Sequence, residues 1–395
     1  MRSRSLSHRA PVSGSRSLGG IRVILLLVLW GGAARLDAAS GRWTEAGEGL
    51  DWRHDTRDEP WALYGVRVAR QQTNLALLPS LAFGQRIGLN TLSSQARLVP
   101  RALGQTVAAI NGDFYQTEHE TVPGDPRGLF IRQGELVSAP IERDCFWLAT
   151  NGAPRVGTIR PLFQLGLPDG RTVPFGLNEE AEGGSAVLYT RAMDPDRLPD
   201  PRSLLVLRPQ DPTNGLPLQA GRRAVFRVEP GPVHSPPAHA LVAALPRPLA
   251  AALPAGATVW VDTATEPALT GVQTALGGGP ALVRQGRVTG ARAAKSHERH
   301  PRSALGWNNA HYFLVVVDGR QPGHSDGMTL AELAAYLVEL GCLEAINLDG
   351  GGSTELILNG RILNRPCYGR ERATATGLLV VRAPASPDNP PSSGP

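Results

Sequence analysis

One stretch near the C-terminal end restricts the fold more than any other: AINLDGGGSTELILNGRIL, from Ala345 to Leu363. An apolar run there ends in an aspartate and three consecutive glycines. Because glycine loses more backbone entropy on folding than any other residue, three in a row need a reason. The pair Asn359–Gly360 that follows predicts a type I′ turn and a β-hairpin. The stretch therefore predicts a buried strand, a glycine loop headed by Asp349, and a hairpin.

The same order of elements occurs twice more. The segment AAINGDFY, Ala108 to Tyr115, ends a strand in Asn-Gly-Asp and leads to the hairpin pattern GLFIRQGELV. The segment LGGGPALVRQGRV, Leu276 to Val288, is a glycine loop that leads to a similar hairpin. Three such units predict three loops that converge on one site. The alternative, that turns favour glycine and hairpins resemble one another, stays open at this stage.

The remaining pattern predicts an α+β fold with mixed, mainly antiparallel sheets, few helices, and glycine-rich site loops at strand ends. One helix is marked by a capping box, because Thr329 is followed three residues later by Glu332, and Gly341 supplies its C-terminal stop. The proline- and glycine-rich region of about 155–253 predicts an irregular β-rich insert or lobe. Residues 384–395 have the composition of a disordered tail.

The first 39 residues have the layout of a secretory signal peptide. An arginine-rich start precedes the apolar run Val23 to Ala34 and a small-residue segment. We therefore predict a single domain over residues 40–383, exported to the periplasm or the extracellular space. The apolar run is short for a membrane span of roughly 20 residues. An uncleaved membrane anchor over residues 21–34 is the alternative.

Charge and cysteine content exclude a nucleic-acid-binding protein and a disulfide-stabilised scaffold. The formal net charge of the whole chain is +5, and residues 1–39 alone, with six arginines and one acid, account for it. The rest carries 34 basic and 34 acidic residues, which excludes the basic surface of a nucleic-acid-binding protein. Three cysteines allow at most one internal disulfide. No CxxC or HExxH pattern indicates zinc.

The glycine triplet and its aspartate indicate chemistry. Successive glycine N–H groups can point together at an anion and form a nest. Residues 350–352 lack the Lys-Ser/Thr of a P-loop and the GxGxxG order of a dinucleotide site. A tight structural turn is the alternative. Asp349 is harder to explain structurally, because its charge would repel an anion, and it is a candidate base, nucleophile or metal ligand.

Four segments together resemble the phosphodiester glycosidase family: RHPRSALGW, the 46 residues from Val315 to Gly360, NGDFY and GGGP. The resemblance runs in the same order from roughly Tyr64 to Arg382. It implies hydrolysis of a sugar 1-phosphodiester at the sugar carbon, with a substrate like an N-acetylglucosamine 1-phosphodiester in exopolysaccharide or cell-envelope glycans. The proline-rich middle matches this family less clearly.

Such a reaction needs cations around the phosphate more than a strong general acid, because a phosphate monoester is already a good leaving group. Arginine's planar fork matches phosphate oxygens. The predicted cationic residues are Arg302, Arg299, His300 and Arg372. A surface ion pair is the alternative for any one of these arginines.

A carboxylate must also stabilise the positively charged sugar carbon or activate water. Asp349, Asp113 and Asp318 end apolar strands, and we rank them in that order; a turn role is the alternative for Asp318. With Arg302 they are the predicted catalytic residues. The predicted substrate- and phosphate-binding residues are Gly350, Gly351, Gly352, Ser353, Asn347, Gly278, Gly279, His300, Arg299, Arg372 and Asn111.

Three functions remain in competition. The first is an exported hydrolase of sugar 1-phosphodiesters that requires no cofactor. The second is a non-catalytic polysaccharide-binding or assembly protein. The third is a metal-dependent phosphodiesterase that cuts the P–O bond and uses Asp113, Asp318 and Asp349 as ligands of a divalent cation. The predicted partner is a sugar-phosphate or polysaccharide, with no nucleic acid, and a membrane only if the signal segment stays uncleaved.

Overall fold

The computed structural model describes residues 41–57, 60–181, 184–200, 204–230, 233–289 and 298–384. The predicted signal peptide and, apart from residue 384, the predicted tail lie outside the described residues. Within these ranges no helix combines the length and apolar character needed to cross a lipid bilayer.

Most of the regular secondary structure in the described residues is β-strand. The strands of the first part of the chain are β1 (Thr44–Gly47), β2 (Leu50–Arg57), β3 (Trp61–Ala69), β4 (Leu75–Leu81), β5 (Gln105–Asn111), β6 (Phe130–Arg132), β7 (Glu135–Ser138), β8 (Asp144–Leu148), β9 (Pro154–Thr158) and β10 (Arg160–Pro161). The strands of the middle are β11 (Gln164–Gly166), β12 (Thr172–Leu177), β13 (Ala186–Tyr189), β14 (Leu204–Pro209), β15 (Arg223–Pro230), β16 (Leu241–Ala244), β17 (Thr258–Asp262) and β18 (Thr265–Glu266). The last strands are β19 (Thr274–Gly277), β20 (Ala281–Arg284), β21 (Arg287–Val288), β22 (Arg302–Trp307), β23 (His311–Val317), β24 (Glu344–Asn347), β25 (Leu356–Leu358), β26 (Arg361–Ile362) and β27 (Thr376–Arg382).

Helices are few and short among the described residues. They are α1 (Leu92–Arg97), α2 (Arg247–Ala251) and α3 (Leu330–Glu339), with 3₁₀ turns at Pro195–Arg197 and Gly351–Ser353. The predicted mainly antiparallel sheets and the small number of helices are confirmed. The predicted α+β class needs adjustment, because three helices among so many strands make the fold mostly β.

Three antiparallel sheets surround the main core. Their strand orders are β1-β2-β3-β23-β22-β24-β20-β21, β26-β25-β5-β27-β4 and β7-β6-β19-β8-β9. Each sheet contributes buried apolar side chains to one cluster, for example Leu314 from the first, Ile110 from the second and Phe146 from the third. Because β5, β19 and β24 belong to three different sheets of this core, the loops that follow them can reach one another.

The middle of the chain forms a closed barrel of seven strands in the order β11-β12-β13-β16-β14-β15-β17, closed by pairing of β17 with β11. It covers much of the region for which we predicted an irregular lobe over residues 155–253, and it is more regular than that prediction. The strands are short and broken by proline, as at Pro174 and Pro209, which hides their alternation. Buried side chains such as Leu188, Phe226 and Val261 nevertheless form one apolar cluster there.

Helix α3 begins and ends where the sequence predicts. The Thr329 hydroxyl accepts a hydrogen bond from the Glu332 N–H, and the Glu332 side chain accepts one from the Thr329 N–H, which completes the capping box. Gly341 follows the helix with φ +84°. Buried Leu333 and Leu337 join an apolar cluster with residues of the first sheet. The helix thereby fixes the start of β24, which carries Asn347 and leads to Asp349.

The three predicted hairpins share one turn geometry. Each has a two-residue turn in which both residues have positive φ. These pairs are Gln133–Gly134, Gln285–Gly286 and Asn359–Gly360. In the third hairpin Leu358 pairs with Arg361, so the predicted type I′ turn is confirmed. The three strand–loop–hairpin units thus end alike, and their differences lie in the loops.

The cysteines are free thiols. Cys145 and Cys342 are buried, and burial raises the pKa of each thiol to about 12. Both therefore stay protonated and unreactive at neutral pH. Cys367 is partly exposed.

Candidate active site

The loops after β5 and β24 are joined by hydrogen bonds. Asn111 donates from Nδ2 to the Asp349 carbonyl at 2.6 Å, and the Asp349 N–H donates to the Gly112 carbonyl at 3.0 Å. The Asn111 Oδ1 atom accepts from the Ser303 hydroxyl at 2.7 Å. Asn111, predicted to bind substrate, thus uses both ends of its amide within the protein: Nδ2 joins the two loops and Oδ1 accepts from β22.

The loop after β19 joins the same cluster. The Gly279 N–H donates to the Asn347 carbonyl at 2.8 Å, and Asn347 returns a bond from Nδ2 to the Gly279 carbonyl at 3.0 Å. A Cβ at Gly278 would lie 2.7 Å from the Asn347 carbonyl oxygen. The Oδ1 atom of Asn347 is buried and has no hydrogen-bond partner within the described residues. The three loops therefore form one cluster, and Asn347 keeps one acceptor for a bound group.

Each glycine of the triplet makes room for a different neighbour. A Cβ at Gly350 would lie 2.7 Å from the Pro301 carbonyl oxygen, one at Gly351 would lie 3.3 Å from the Arg320 guanidinium, and one at Gly352 would overlap the Tyr368 ring. Gly351 also has φ +61°. These close approaches explain the triplet, because only glycine lacks the atom that would prevent them.

The predicted anion nest is not formed by these three amides together. The Gly350 N–H donates to Oδ1 of Asp349 at 2.9 Å, and the Gly351 N–H donates to the Pro301 carbonyl at 2.8 Å. Two of the three donors are thus used within the protein. The triplet shapes the loop and supports the Asp349 carboxylate. The sequence pattern alone did not distinguish this structural role from anion binding.

Asp113 is a buried carboxyl with an unused oxygen. Its side chain is 2% exposed. Its Oδ1 accepts from the Phe114 N–H at 2.8 Å, whereas Oδ2 has no hydrogen-bond partner in the described structure. Burial raises the pKa of Asp113 to about 7, against the opposing charge of Arg143. Asp113 can therefore carry a proton near neutral pH.

Asp349 lies close enough to Asp113 for its charge to act on that carboxyl. The charge of Asp349 adds to the raised pKa of Asp113. Burial also raises the pKa of Asp349, but the Ser353 hydroxyl, the Gly350 N–H and two arginines, Arg372 and Arg143, favour its ionised form. The two carboxyls thus have unequal surroundings, an arrangement that separates an acid from a base.

Two arginines provide the positive charge beside this pair. The Arg143 guanidinium lies 4.6 Å from the centre of the Phe114 ring, and that of Arg372 lies 5.6 Å from the centre of the Tyr115 ring. Both lower the pKa of Asp349. Arg372 was predicted from the sequence, and it also lies 3.9 Å from Glu118.

Arg302 and Arg299 have partners elsewhere. Arg302 donates to the carbonyls of Met328 at 2.9 Å and Glu298 at 3.1 Å. Arg299 pairs with Glu332 at 2.6 Å and lies over the Trp61 ring. These contacts hold the chain before β22 against the start of α3. Each of them competes with the phosphate contact that we predicted for these two arginines.

His300 reaches the site through another arginine. Its Nε2 lies 3.0 Å from the Glu298 carboxylate, and its Nδ1 lies 3.3 Å from Nη2 of Arg320. Arg320 is exposed, has φ +58°, and covers Gly351. A non-glycine residue in this conformation is strained and is common at functional sites. The guanidinium beside the glycine loop is therefore that of Arg320.

Asp318 belongs to a different network. Its carboxylate is 1% exposed and accepts from Asn364 at 3.0 Å, from the Arg365 N–H, and from His324 at 2.9 Å. These bonds fix the chain after β23 against the chain after β26. The turn interpretation of Asp318 fits these contacts better than the predicted catalytic role.

Three residues of the site region had no assigned role in the sequence prediction: Arg143, Arg320 and Tyr115. Tyr115 stands next to the Asn-Gly-Asp signal, and its hydroxyl lies 3.4 Å from that of Ser353. Glu355 is 3% exposed, and burial, with the charge of Glu371, raises its pKa to about 8. No local pattern marks the two arginines.

The contact between Gly277 and Asp113 can be tested by substitution. A Cβ at Gly277 would overlap Oδ2 of Asp113, so Gly277→Ala must displace the carboxyl. A displacement of about 1 Å costs on the order of 100-fold in rate. We expect that loss in kcat/KM, measured on a sugar 1-phosphodiester. Gly157→Ala is the control, since its Cβ would lie 3.4 Å from Trp147, an ordinary contact. Equal activity of the two variants would contradict a role for the Asp113 carboxyl in catalysis.

Comparison with known proteins gives three findings. Residues 240–381 match the family model described as phosphodiester glycosidase. A stretch of 79 residues is 35% identical to the N-acetylglucosamine-1-phosphodiester alpha-N-acetylglucosaminidase of Bos taurus and covers 20% of this chain. A stretch of 83 residues is 34% identical to an uncharacterized prophage-derived protein of Bacillus subtilis and covers 21% of this chain. Each stretch spans only 13% of the relative's length.

The fold has a counterpart among solved structures. A hypothetical protein from Synechocystis aligns with a TM-score of 0.67 at 23% identity, over 88% of this chain and 64% of that one. At this identity the likeness concerns the fold alone. The family resemblance seen in the sequence is confirmed by the match over residues 240–381, a segment that contains Asp349 and Gly277 but not Asp113.

Proposed function

Because residues 240–381 match the phosphodiester glycosidase family, we propose that this protein hydrolyses sugar 1-phosphodiesters at the bond between the sugar carbon and oxygen. The observation that carries the proposal is the pair of carboxyls, Asp113 and Asp349, at the meeting point of three loops with Arg143 beside both. Hydrolytic glycosidases typically use two carboxyls in different protonation states.

The different surroundings of the two carboxyls assign them different catalytic roles. We assign the ionised role to Asp349: burial raises its pKa, and Ser353, Gly350 and two arginines oppose that rise. It stabilises the positive charge that develops at the sugar carbon or accepts a proton from the attacking water. Asp113, with its pKa raised to about 7 by burial, is the protonated member. It donates its proton to the departing phosphate oxygen.

The bonds balance without a further reactant. The C–O bond to the phosphate breaks and its electron pair stays on the phosphate oxygen, while a water oxygen forms a new bond to the sugar carbon. The products are a free sugar and a phosphate monoester. Arg143 and Arg372 offset the negative charge of the phosphate group, with Arg320 at the edge of the glycine loop. Preorganised cations of this kind commonly supply several kcal/mol of transition-state stabilisation.

The alternative metal-dependent reaction would need a cluster of oxygen ligands. Asp318 has its partners in the Asn364 and Arg365 network. The described residues contain no group of three or more His, Cys, Asp or Glu side chains arranged to hold a metal ion. The engagement of Asp318 in that network argues against a cation held by all three aspartates. Export by residues 1–39 remains part of the proposal.

Hydrolysis in oxygen-18 water tests the proposal. We expect the label in the sugar hydroxyl and unlabelled phosphate monoester, because water attacks the carbon. A synthetic N-acetylglucosamine 1-phosphodiester with a methyl group on the phosphate is a suitable substrate, assayed with and without chelator. Label in the phosphate would mean P–O cleavage. Absence of turnover on a panel of sugar 1-phosphodiesters would favour the non-catalytic polysaccharide-binding protein.

A further inference from the structure

The candidate active site opens to solvent at the glycine triplet. Asp349, Gly350 and Gly351 are partly exposed, whereas Asp113 and Asn347 of the same loop cluster are buried. A substrate therefore reaches the carboxyl pair from the side of the triplet. The side chains at this opening are the first candidates for contact with the substrate.

Tyr368 stands at this opening. Its side chain is 61% exposed, the largest exposed fraction of any large hydrophobic side chain that the structure describes. A Cβ added to Gly352 would overlap Cε2 of the ring and lie 3.0 Å from Cδ2. One edge of the ring thus rests on the backbone of the triplet, and the rest of the ring is open to solvent. The reaction proposed above gives Tyr368 no role.

The chain that carries Tyr368 is fixed in place. The Gly369 N–H donates to the Pro366 carbonyl at 2.9 Å, which closes a four-residue turn with Tyr368 in its third position. Further along, the Ala373 carbonyl accepts a hydrogen bond from the Tyr115 hydroxyl at 3.0 Å. An aromatic ring on an ordered turn loses little conformational entropy when it binds a ligand.

Arg320 lies beside the same turn. Its guanidinium covers Gly351, where an added Cβ would lie 3.3 Å from Nη1. Burial raises the pKa of the Cys367 thiol, next to Tyr368, and the charge of Arg320 opposes that rise. A cation and an aromatic ring therefore cover two adjacent residues of the triplet, Gly351 and Gly352.

This pair matches the two chemical parts of a sugar phosphate. The face of an aromatic ring is negative and attracts the C–H groups that a sugar ring presents on its flatter side. A guanidinium forms paired hydrogen bonds to phosphate oxygens. The backbone advances about 2 Å per residue in a 3₁₀ turn, so Gly352 lies on the order of 6 Å from Asp349. One sugar ring spans that distance and can contact Tyr368 while its C1 atom faces Asp349.

We propose that Tyr368 binds the substrate by stacking on the sugar whose bond is broken, while Arg320 holds the phosphate attached to that sugar. Tyr368 is thereby a specificity-determining residue, because it favours a phosphodiester with a sugar ring over one with a short open chain. The identity of the linkage rests on the proposed function. The sugar contact rests on the position of the exposed ring at the open side of the triplet.

Binding to the inactive full chain tests this contact without turnover. The Asp349→Asn protein is titrated with two diesters of methyl phosphate, one with N-acetylglucosamine attached through C1 and one with a hydroxyethyl group. We expect the sugar diester to bind about tenfold more tightly, as for a stacking contact. Tyr368→Ala should remove this preference, and Tyr368→Phe should keep it. Arg320→Gln should weaken both diesters and leave the preference unchanged.

Two further variants separate a ligand contact from support of the loop. Gly352→Ala keeps the tyrosine but displaces its ring, and Gly352 lies outside the positive-φ region, so its backbone accepts alanine. We expect the same loss of preference as in Tyr368→Ala. Leu343→Ala is the control, since Leu343 is 40% exposed and precedes β24 at the end opposite to Asn347. A preference that persists in both Tyr368→Ala and Gly352→Ala would overturn the inference.

Turnover distinguishes this inference from the proposed function. Wild-type hydrolysis of the sugar diester, with the preference unchanged in Tyr368→Ala, overturns the stacking contact and leaves the proposed function intact. A preference that Tyr368→Ala removes, in a protein that hydrolyses no phosphodiester, supports the contact and overturns the proposed function. If uridine monophosphate binds more tightly than the sugar diester and Tyr368→Ala abolishes that binding, the ring stacks on a nucleobase and the inference is overturned.

Discussion

Replacing Asp349 with asparagine is expected to lower kcat by on the order of a thousandfold, because the variant loses the charge that stabilises the sugar carbon or accepts the proton of water. KM should stay equal or fall, since the substitution keeps the shape and removes repulsion of an anionic substrate. Steady-state kinetics on a sugar 1-phosphodiester measures both values. The Asn111 bond to the Asp349 carbonyl is unaffected, so the loop cluster should persist.

Asp318→Asn is the matched control for this variant. Asp318 also follows an apolar strand and is 1% exposed, but its carboxylate holds His324 and the Arg365 N–H. We expect reduced stability in urea and a kcat within about tenfold of the wild type. A thousandfold loss in Asp318→Asn with near-normal turnover in Asp349→Asn would reverse the assignment of the two aspartates.

Replacing Asp113 with asparagine is expected to stabilise the protein at pH 8 and to impair catalysis. Burial raises the pKa of Asp113 to about 7 in the folded protein, from the ordinary aspartate value of 3.8. The folded state therefore binds this proton more tightly than the unfolded chain does. As a result, the free energy of unfolding falls as the pH rises from about 4 to about 7. At about 1.4 kcal/mol per pKa unit, the loss is up to about 4 kcal/mol.

The asparagine variant removes that loss. Its free energy of unfolding in urea should be close to the wild-type value at pH 4 and higher by up to about 4 kcal/mol at pH 8. Its kcat should fall on the order of 100-fold, and the wild-type decline of rate above about pH 7 should disappear, because the protonated acid is gone. An unchanged pH dependence of stability would show that Asp113 titrates normally and is not the buried acid.

Local sequence patterns predicted the elements around the site well. Thr329, Glu332 and Gly341 mark the ends of α3, and Asn359–Gly360 marks a hairpin, because caps and tight turns depend on residues close in sequence. Asp113 and Asp349 could be singled out as candidates for the same reason, since each follows a strand and stands beside glycine.

Contacts between distant segments were not predictable in this way. Arg302 looked like a phosphate ligand, yet it donates to the Met328 carbonyl, 26 residues away. Arg143 acts on both carboxyls from a segment without any motif. Closure of the barrel depends on pairing between β11 and β17, whose partners Gln164 and Asp262 are far apart in the chain. Such pairings are decided by packing of the whole domain.

The short ladder of β10 and β18 places the two ends of the barrel segment side by side, with Arg160 opposite Glu266 and Pro161 opposite Thr265. Because the ends of this segment already lie side by side, a change in its length adds little to the entropic cost of closing the rest of the domain. The barrel lies between Asp113 and Gly277 in the chain but leaves their contact intact. The barrel can consequently be lengthened, shortened or exchanged during evolution while the carboxyl pair stays where it is, so that the proposed catalytic centre can acquire new substrates when the barrel changes.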